Sequence, residues 1–174
     1  MKIRFKQDRA NLIKLLESPN IKKRLQVLDK LNGVKERETL RILIKLLEDE
    51  SWIMRERAAN KLAQYGNQVV PRLELLLKKG YWYTRAAACL ALGEIASPNS
   101  FEAIIELLLQ DDNPTVIKEA CNALSKLLQK EAGECAIKIH EFTSDTGRTE
   151  RFLAVIETNN PDLFLMIKEL QRHE

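Results

Sequence analysis

Chemistry at a reacting centre needs a nucleophile, a base or a metal ligand, and this chain holds few of each. Its cysteines are Cys89, Cys121 and Cys135, and its histidines are His140 and His173. Cys135 and His140 form the one local nucleophile–base pair, but a spacing of five residues takes them off a shared helical face. No C-x-x-C or H-x-x-x-H spacing occurs, so no metal centre is expected. No glycine-rich phosphate loop is present either. The acidic pair Asp111-Asp112 sits in a polar turn, where capping or solvating the turn accounts for it better than acid–base work. The expectation is a chain without catalytic residues, metal or cofactor. An odd number of cysteines without close pairing also speaks against a disulfide framework and for small buried apolar side chains.

Binding chemistry is better represented. Trp52 and Trp82 stand three residues before Arg55 and Arg85, Tyr81 and Tyr83 flank Trp82, and Arg57 and Lys61 follow on the first of the two segments. Trp, Tyr and Arg are the side chains that most often anchor macromolecular interfaces. An aromatic and basic surface can also stack on bases and neutralise phosphates. The candidate partner-binding set is therefore Trp52, Arg55, Arg57, Lys61, Trp82, Tyr83 and Arg85. The same aromatics could instead fill a half-buried seam between neighbouring helices, with their polar tips wet. The basic residues could equally form a solvated helix face balanced by Asp29, Glu48 and Glu56.

The elements that must position these residues repeat along the chain. Leucine pairs recur at Leu15-Leu16, Leu46-Leu47, Leu76-Leu77 and Leu108-Leu109, each followed by a polar turn. A second segment then carries Arg24, Arg55, Arg85 and Ile117 at one equivalent position, with Leu31, Leu62, Leu92 and Leu124 seven residues on. Three residues before those leucines stand Leu28, Ala59, Cys89 and Cys121, preceded by Val27, Ala58, Ala88 and Ala120. Small side chains in such a column let two helices cross closely. Within each segment the apolar period is helical: Leu40, Leu43, Ile44 and Leu47 fall at i, i+3, i+4 and i+7.

Capping residues set the boundaries. Asn113-Pro114 and Asn160-Pro161 offer an N-cap followed by a proline in the first turn. Gly80 closes a helix after Lys78-Lys79. The pattern predicts helices over 8–17, 21–32, 36–48, 52–65, 68–79, 82–96, 98–110, 114–130, 132–142, 147–158 and 161–172, and no sheet. After Glu131 the repeat blurs, and residues 131–174 read as a divergent cap; the segment 143–147 reads as a loop.

Asp49 through Ala59, and Tyr81 through Gly93, resemble a HEAT repeat of the short bacterial kind, similar to the phycocyanobilin-lyase-like HEAT repeats. The resemblance covers roughly residues 9–130. It implies an all-α, right-handed α-α superhelix of HEAT/armadillo-like type, a solenoid whose second helices line the concave face. With the patterns above, the expected organisation is a single domain over 1–174, with four helical-hairpin repeats over 1–130 and the cap over 131–174. The resemblance further implies that an acidic residue in each turn pairs with the arginine of the following helix, Glu17 with Arg24 and Asp49 with Arg55. The third repeat departs with Lys79 in the acidic column, and the fourth with Ile117 in the arginine column.

Composition narrows the class. Apolar residues make up 45% of the 174 and charged residues 30%, which is the balance of a globular chain with a core. No apolar run nears the roughly 20 residues of a membrane span, and the basic start lacks an apolar leader segment, so a cytoplasmic protein without membrane contact is expected. Residues 1–87 carry 20 Lys and Arg against 10 Asp and Glu, a net +10, whereas residues 88–174 carry 8 against 15, a net −7. The leading expectation is a non-enzymatic scaffold whose concave face holds a protein or acidic peptide. The alternatives are nucleic-acid binding through the basic half, a lyase-like or glycosylase-like subunit, and self-association through the complementary halves.

Overall fold

The computed structural model describes residues 7–33, 36–143 and 146–172. Eleven α-helices and three 3₁₀ turns account for its regular structure, and no strand occurs among the described residues. The helices are α1 (Gln7–Leu16), α2 (Ile21–Asp29), α3 (Glu36–Leu46), α4 (Trp52–Ala63), α5 (Val70–Lys79), α6 (Trp82–Ile95), α7 (Phe101–Gln110), α8 (Pro114–Lys130), α9 (Ala132–Thr143), α10 (Thr146–Asn159) and α11 (Pro161–Arg172). The residues 1–6 at the basic start, and 144–145 of the expected loop, lie outside the described residues.

Local chemistry explains where the helices begin. Asn20 Oδ1 accepts from the N–H groups of Lys22 and Lys23 at 3.0 and 3.3 Å. Asn113 Oδ1 does the same for Thr115 and Val116, and Asn160 Oδ1 accepts from Leu163 N–H at 3.0 Å. Three expected helices divide. The first ends at Asp29 and tightens to a 3₁₀ turn over Lys30–Gly33. The second opens with the 3₁₀ turn Gly66–Val69, because Gly66 at φ +58 breaks the helical path. The third opens with Pro98–Ser100, after Ala96 in the left-handed region has ended α6. Gly80 does close α5, but from an extended conformation. A glycine is needed there for space, since a Cβ would lie 2.7 Å from the Leu76 carbonyl oxygen.

Packing makes this an all-α helical solenoid. Each odd helix from α1 to α7 packs on the even helix that follows, and the even helices stack α2 on α4, α4 on α6 and α6 on α8. The leucine column Leu31, Leu62, Leu92 and Leu124 is wholly buried, as is the small column Ala58, Ala88 and Ala120. Between α6 and α8 the approach is close. Gly93 has room for hydrogen only, because a Cβ would meet Ala123 Cα at 2.8 Å. With α4, α5 and α8 around it, α6 is buried on most sides, which its run Ala86-Ala87-Ala88 permits.

Helices α9–α11 pack against α7 and α8 at the end of the stack. Arg148 of α10 reaches Glu106 at 3.3 Å and Glu102 at 3.9 Å on α7, and sits 4.9 Å over the Phe142 ring. Asn160, which caps α11, reaches Ser125 on α8 at 3.5 Å.

Candidate functional site

The cysteines are buried in the core and His140 is exposed, while His173 lies outside the described residues. Cys89, Cys121 and Cys135 are free and buried, and burial pushes their thiols up, to about 11 for Cys121 and Cys135 and further for Cys89. A thiol held neutral and out of solvent is a poor nucleophile. The native protein is therefore expected to leave Ellman's reagent unreacted near pH 8, and to release three thiols in guanidinium. A native thiol that reacts rapidly would contradict this. Among the described residues no group of three His, Cys, Asp or Glu side chains could hold a metal ion.

The arginine column is where polar structure concentrates. Arg24 Nη1 donates to Asp49 Oδ2 at 2.7 Å, and Asp49 Oδ1 accepts from Ser51 N–H at 2.8 Å. Arg85 donates from Nε to Asp111 Oδ2 at 2.6 Å and from Nη2 to Oδ1 at 3.0 Å, while its Nη1 donates to the Gly80 carbonyl at 2.9 Å. Asp111 Oδ1 also accepts from Asn113 N–H at 3.0 Å. Each carboxylate thus ties down the preceding repeat's arginine and the start of its own second helix. The hydrogen bonds to Asp111 hold the Arg85 guanidinium above its ordinary pKa.

This corrects the expected pairing. Asp49 bonds Arg24 of the repeat before it, not the Arg55 side chain by its carboxylate, and Arg85 bonds Asp111 of the repeat after it. Arg55 and Arg85 meet their own turns through backbone carbonyls instead. The Arg85 guanidinium thereby spans two neighbouring turns.

Arg55 is the exception. Its Nη1 donates to the carbonyls of Asp49 and, at 2.9 Å, Glu50. No carboxylate reaches it among the described residues, because the next turn places Lys79 where the other turns have Asp49 and Asp111. Its guanidinium carbon lies 5.4 Å from the Trp52 ring centroid and 5.0 Å from that of Tyr83. Only 5% of Arg55 is exposed, and burial lowers its pKa, against the opposing pull of Asp49 and Tyr83. Cation–π contact with two rings partly replaces the missing ion pair.

Around this bracket the aromatic side chains stay open to solvent. Tyr81 is 69% exposed and Trp82 45%, and Trp52 and Ile53 are also exposed. Tyr81 stacks on Tyr83 with centroids 5.4 Å apart, and Trp82 meets Tyr83 edge-on at 5.6 Å. Exposed Lys78 and Lys79 lead into the patch. Of the candidate residues, the structure brings together Trp52, Arg55, Trp82 and Tyr83. Arg85 is engaged with Asp111, Arg57 is exposed on α4, and Lys61 is half-buried one turn further on. Sequence reasoning passed over Asp111 as a partner of Arg85. The signal available was the acidic column itself, read one repeat forward.

Two clefts mark the intact rungs. One of about 530 Å³ has Arg24, Asp49, Arg41 and Lys45 in its wall, and one of about 420 Å³ has Arg85, Asp111, Ala103 and Leu107 at the equivalent positions. A family model for HEAT repeats matches the chain twice, over residues 10–79 and 69–139, the second match running into α9. No curated protein matches it.

Proposed function

This chain belongs to the HEAT-repeat family, and from that premise we propose that it is a non-enzymatic scaffold that docks an acidic segment of a partner protein. The docking edge is built from the first turns of α4 and α6, with Trp52, Trp82 and Tyr81 as apolar anchors and Lys78, Lys79 and Arg57 as the surrounding cations. HEAT repeats generally serve as protein-interaction scaffolds. One observation carries the reading: exposed tryptophan and tyrosine side chains sit together, edged by lysines, on a half of the chain with a net +10. Folding does not call for that exposure, since apolar rings left in water forgo their burial free energy. No helix among the described residues is long and apolar enough to cross a membrane.

Fluorescence anisotropy with a labelled nonapeptide of alternating glutamate and phenylalanine tests the proposal. Binding is expected, with Trp82→Ala weakening it about tenfold, as for a hot-spot aromatic. The glutamine counterpart of the peptide should bind more weakly. A short DNA duplex is the control for the basic half. Tighter binding of the duplex than of the peptide, falling steeply between about 50 and 200 mM salt, would replace a protein partner with nucleic acid. Unaltered peptide binding by Trp82→Ala would remove the proposed edge.

A further inference from the structure

Arg85 and Arg55 both turn Nη1 toward their own turn and can be compared atom by atom, whereas Arg24 gives Nη1 to Asp49 and keeps a buried Nε without a partner. Arg85 uses Nη1 for the carbonyl of residue 80 and its Nε/Nη2 edge for both oxygens of Asp111. Arg55 uses Nη1 for the carbonyls of residues 49 and 50, which is the equivalent turn, and its Nε/Nη2 edge makes no hydrogen bond. Nε of Arg55 is buried and unpartnered. The carboxylates of the intact rungs also accept a backbone N–H two residues on, that of Ser51 or Asn113. The equivalent donor in the open rung is the Tyr81 N–H, for which no acceptor is found among the described residues. Two donors that converge on one carboxylate elsewhere in the molecule are therefore both unpaired here, next to Lys79.

We infer that the open rung between the second and third repeats is a binding site for a single aspartate or glutamate side chain of the partner. The partner's carboxylate would take the place that Asp111 holds against Arg85, accepting from the Arg55 Nε/Nη2 edge and the Tyr81 N–H. Resting on the docking edge above, this assigns the acidic anchor of the partner's segment. Bidentate guanidinium–carboxylate bonds are stronger and more directional than contacts with a surface lysine. Trp52 and Tyr83, which cover the guanidinium, exclude water around the pair and sharpen it. The positive charge of Lys79 leaves the rung open within the chain and draws an anion to it from outside. A free phosphate or a nucleic-acid backbone is a poorer match, because a single aspartate fills the equivalent place beside Arg85.

Placing the anion within the chain tests the site. Lys79→Asp restores the column and should close the rung on Arg55, while Lys78→Asp makes the same change of charge one residue outside it. Lys79→Asp is expected to raise the melting temperature above that of Lys78→Asp. It should also weaken the glutamate–phenylalanine peptide about tenfold more than Lys78→Asp does. In nitrogen–proton spectra, the Arg55 Nε–Hε signal should shift on peptide addition and should already be shifted in Lys79→Asp without peptide. Free glutamate at the peptide's concentration should leave that signal in place, and saturation by it would overturn a peptide side chain as the occupant. Equal weakening by the two lysine variants, or no stabilisation from Lys79→Asp, overturns the carboxylate site while leaving the docking edge standing. Loss of the Trp82 effect instead would remove the edge itself.

Discussion

Asp111→Ala is expected to lower the unfolding free energy by about 3 kcal/mol, or roughly 6–12 °C in melting temperature for a chain of this length. The side chain is 3% exposed and accepts three hydrogen bonds, two from Arg85 and one from the Asn113 N–H that begins α8. Removing it strands a guanidinium edge and a turn N–H together. Arg85 is 23% exposed, so water recovers part of its loss, which places the cost at the lower end for a broken buried pair. Asp112→Ala, at an exposed neighbour, should cost less than about 0.5 kcal/mol. Urea unfolding of the two variants side by side measures the difference. Equal small effects would show that the rung between the third and fourth repeats adds little to folding.

Gly93→Leu is the second large effect. The α6–α8 contact leaves no room for a side chain, since a Cβ at this position would stand 2.8 Å from Ala123 Cα and 3.2 Å from Ala123 Cβ. Even Gly93→Ala gains about 1 kcal/mol in helix propensity but meets an overpacking cost of about 1–3 kcal/mol against a backbone that cannot step aside. The larger leucine must part the two helices and unpack the buried leucines Leu92 and Leu124, so its loss should exceed about 3 kcal/mol. Gly133→Ala on α9 is the control, because a Cβ there meets nothing within 4 Å. It should be neutral or slightly stabilising. Calorimetric melting of the three variants checks the order, and Gly93→Leu melting like the parent would mean that α6 and α8 are further apart than described.

The separate elements were legible in the residues. Helical apolar spacing, asparagine caps at 113 and 160, and prolines at 114 and 161 are local features acting over one or two turns, so they place helices without knowledge of the fold. The leucine and small-residue columns likewise announced which faces would be buried. The partner of each arginine was not legible, because a rung spans 25 or 26 residues to the next hairpin and exists only once hairpins stack. The aromatics divide for the same reason. Tyr83 and Trp82 are adjacent and chemically alike, yet one closes over Arg55 and the other faces solvent: neighbouring helical side chains diverge, and only the packing of α6 on α4 decides which direction meets Arg55. Sequence by itself determined the helices, their repeat and their apolar faces. Tertiary structure alone decided which carboxylate meets which guanidinium and where one is missing, since both depend on the distance between neighbouring repeats rather than on any pattern within one.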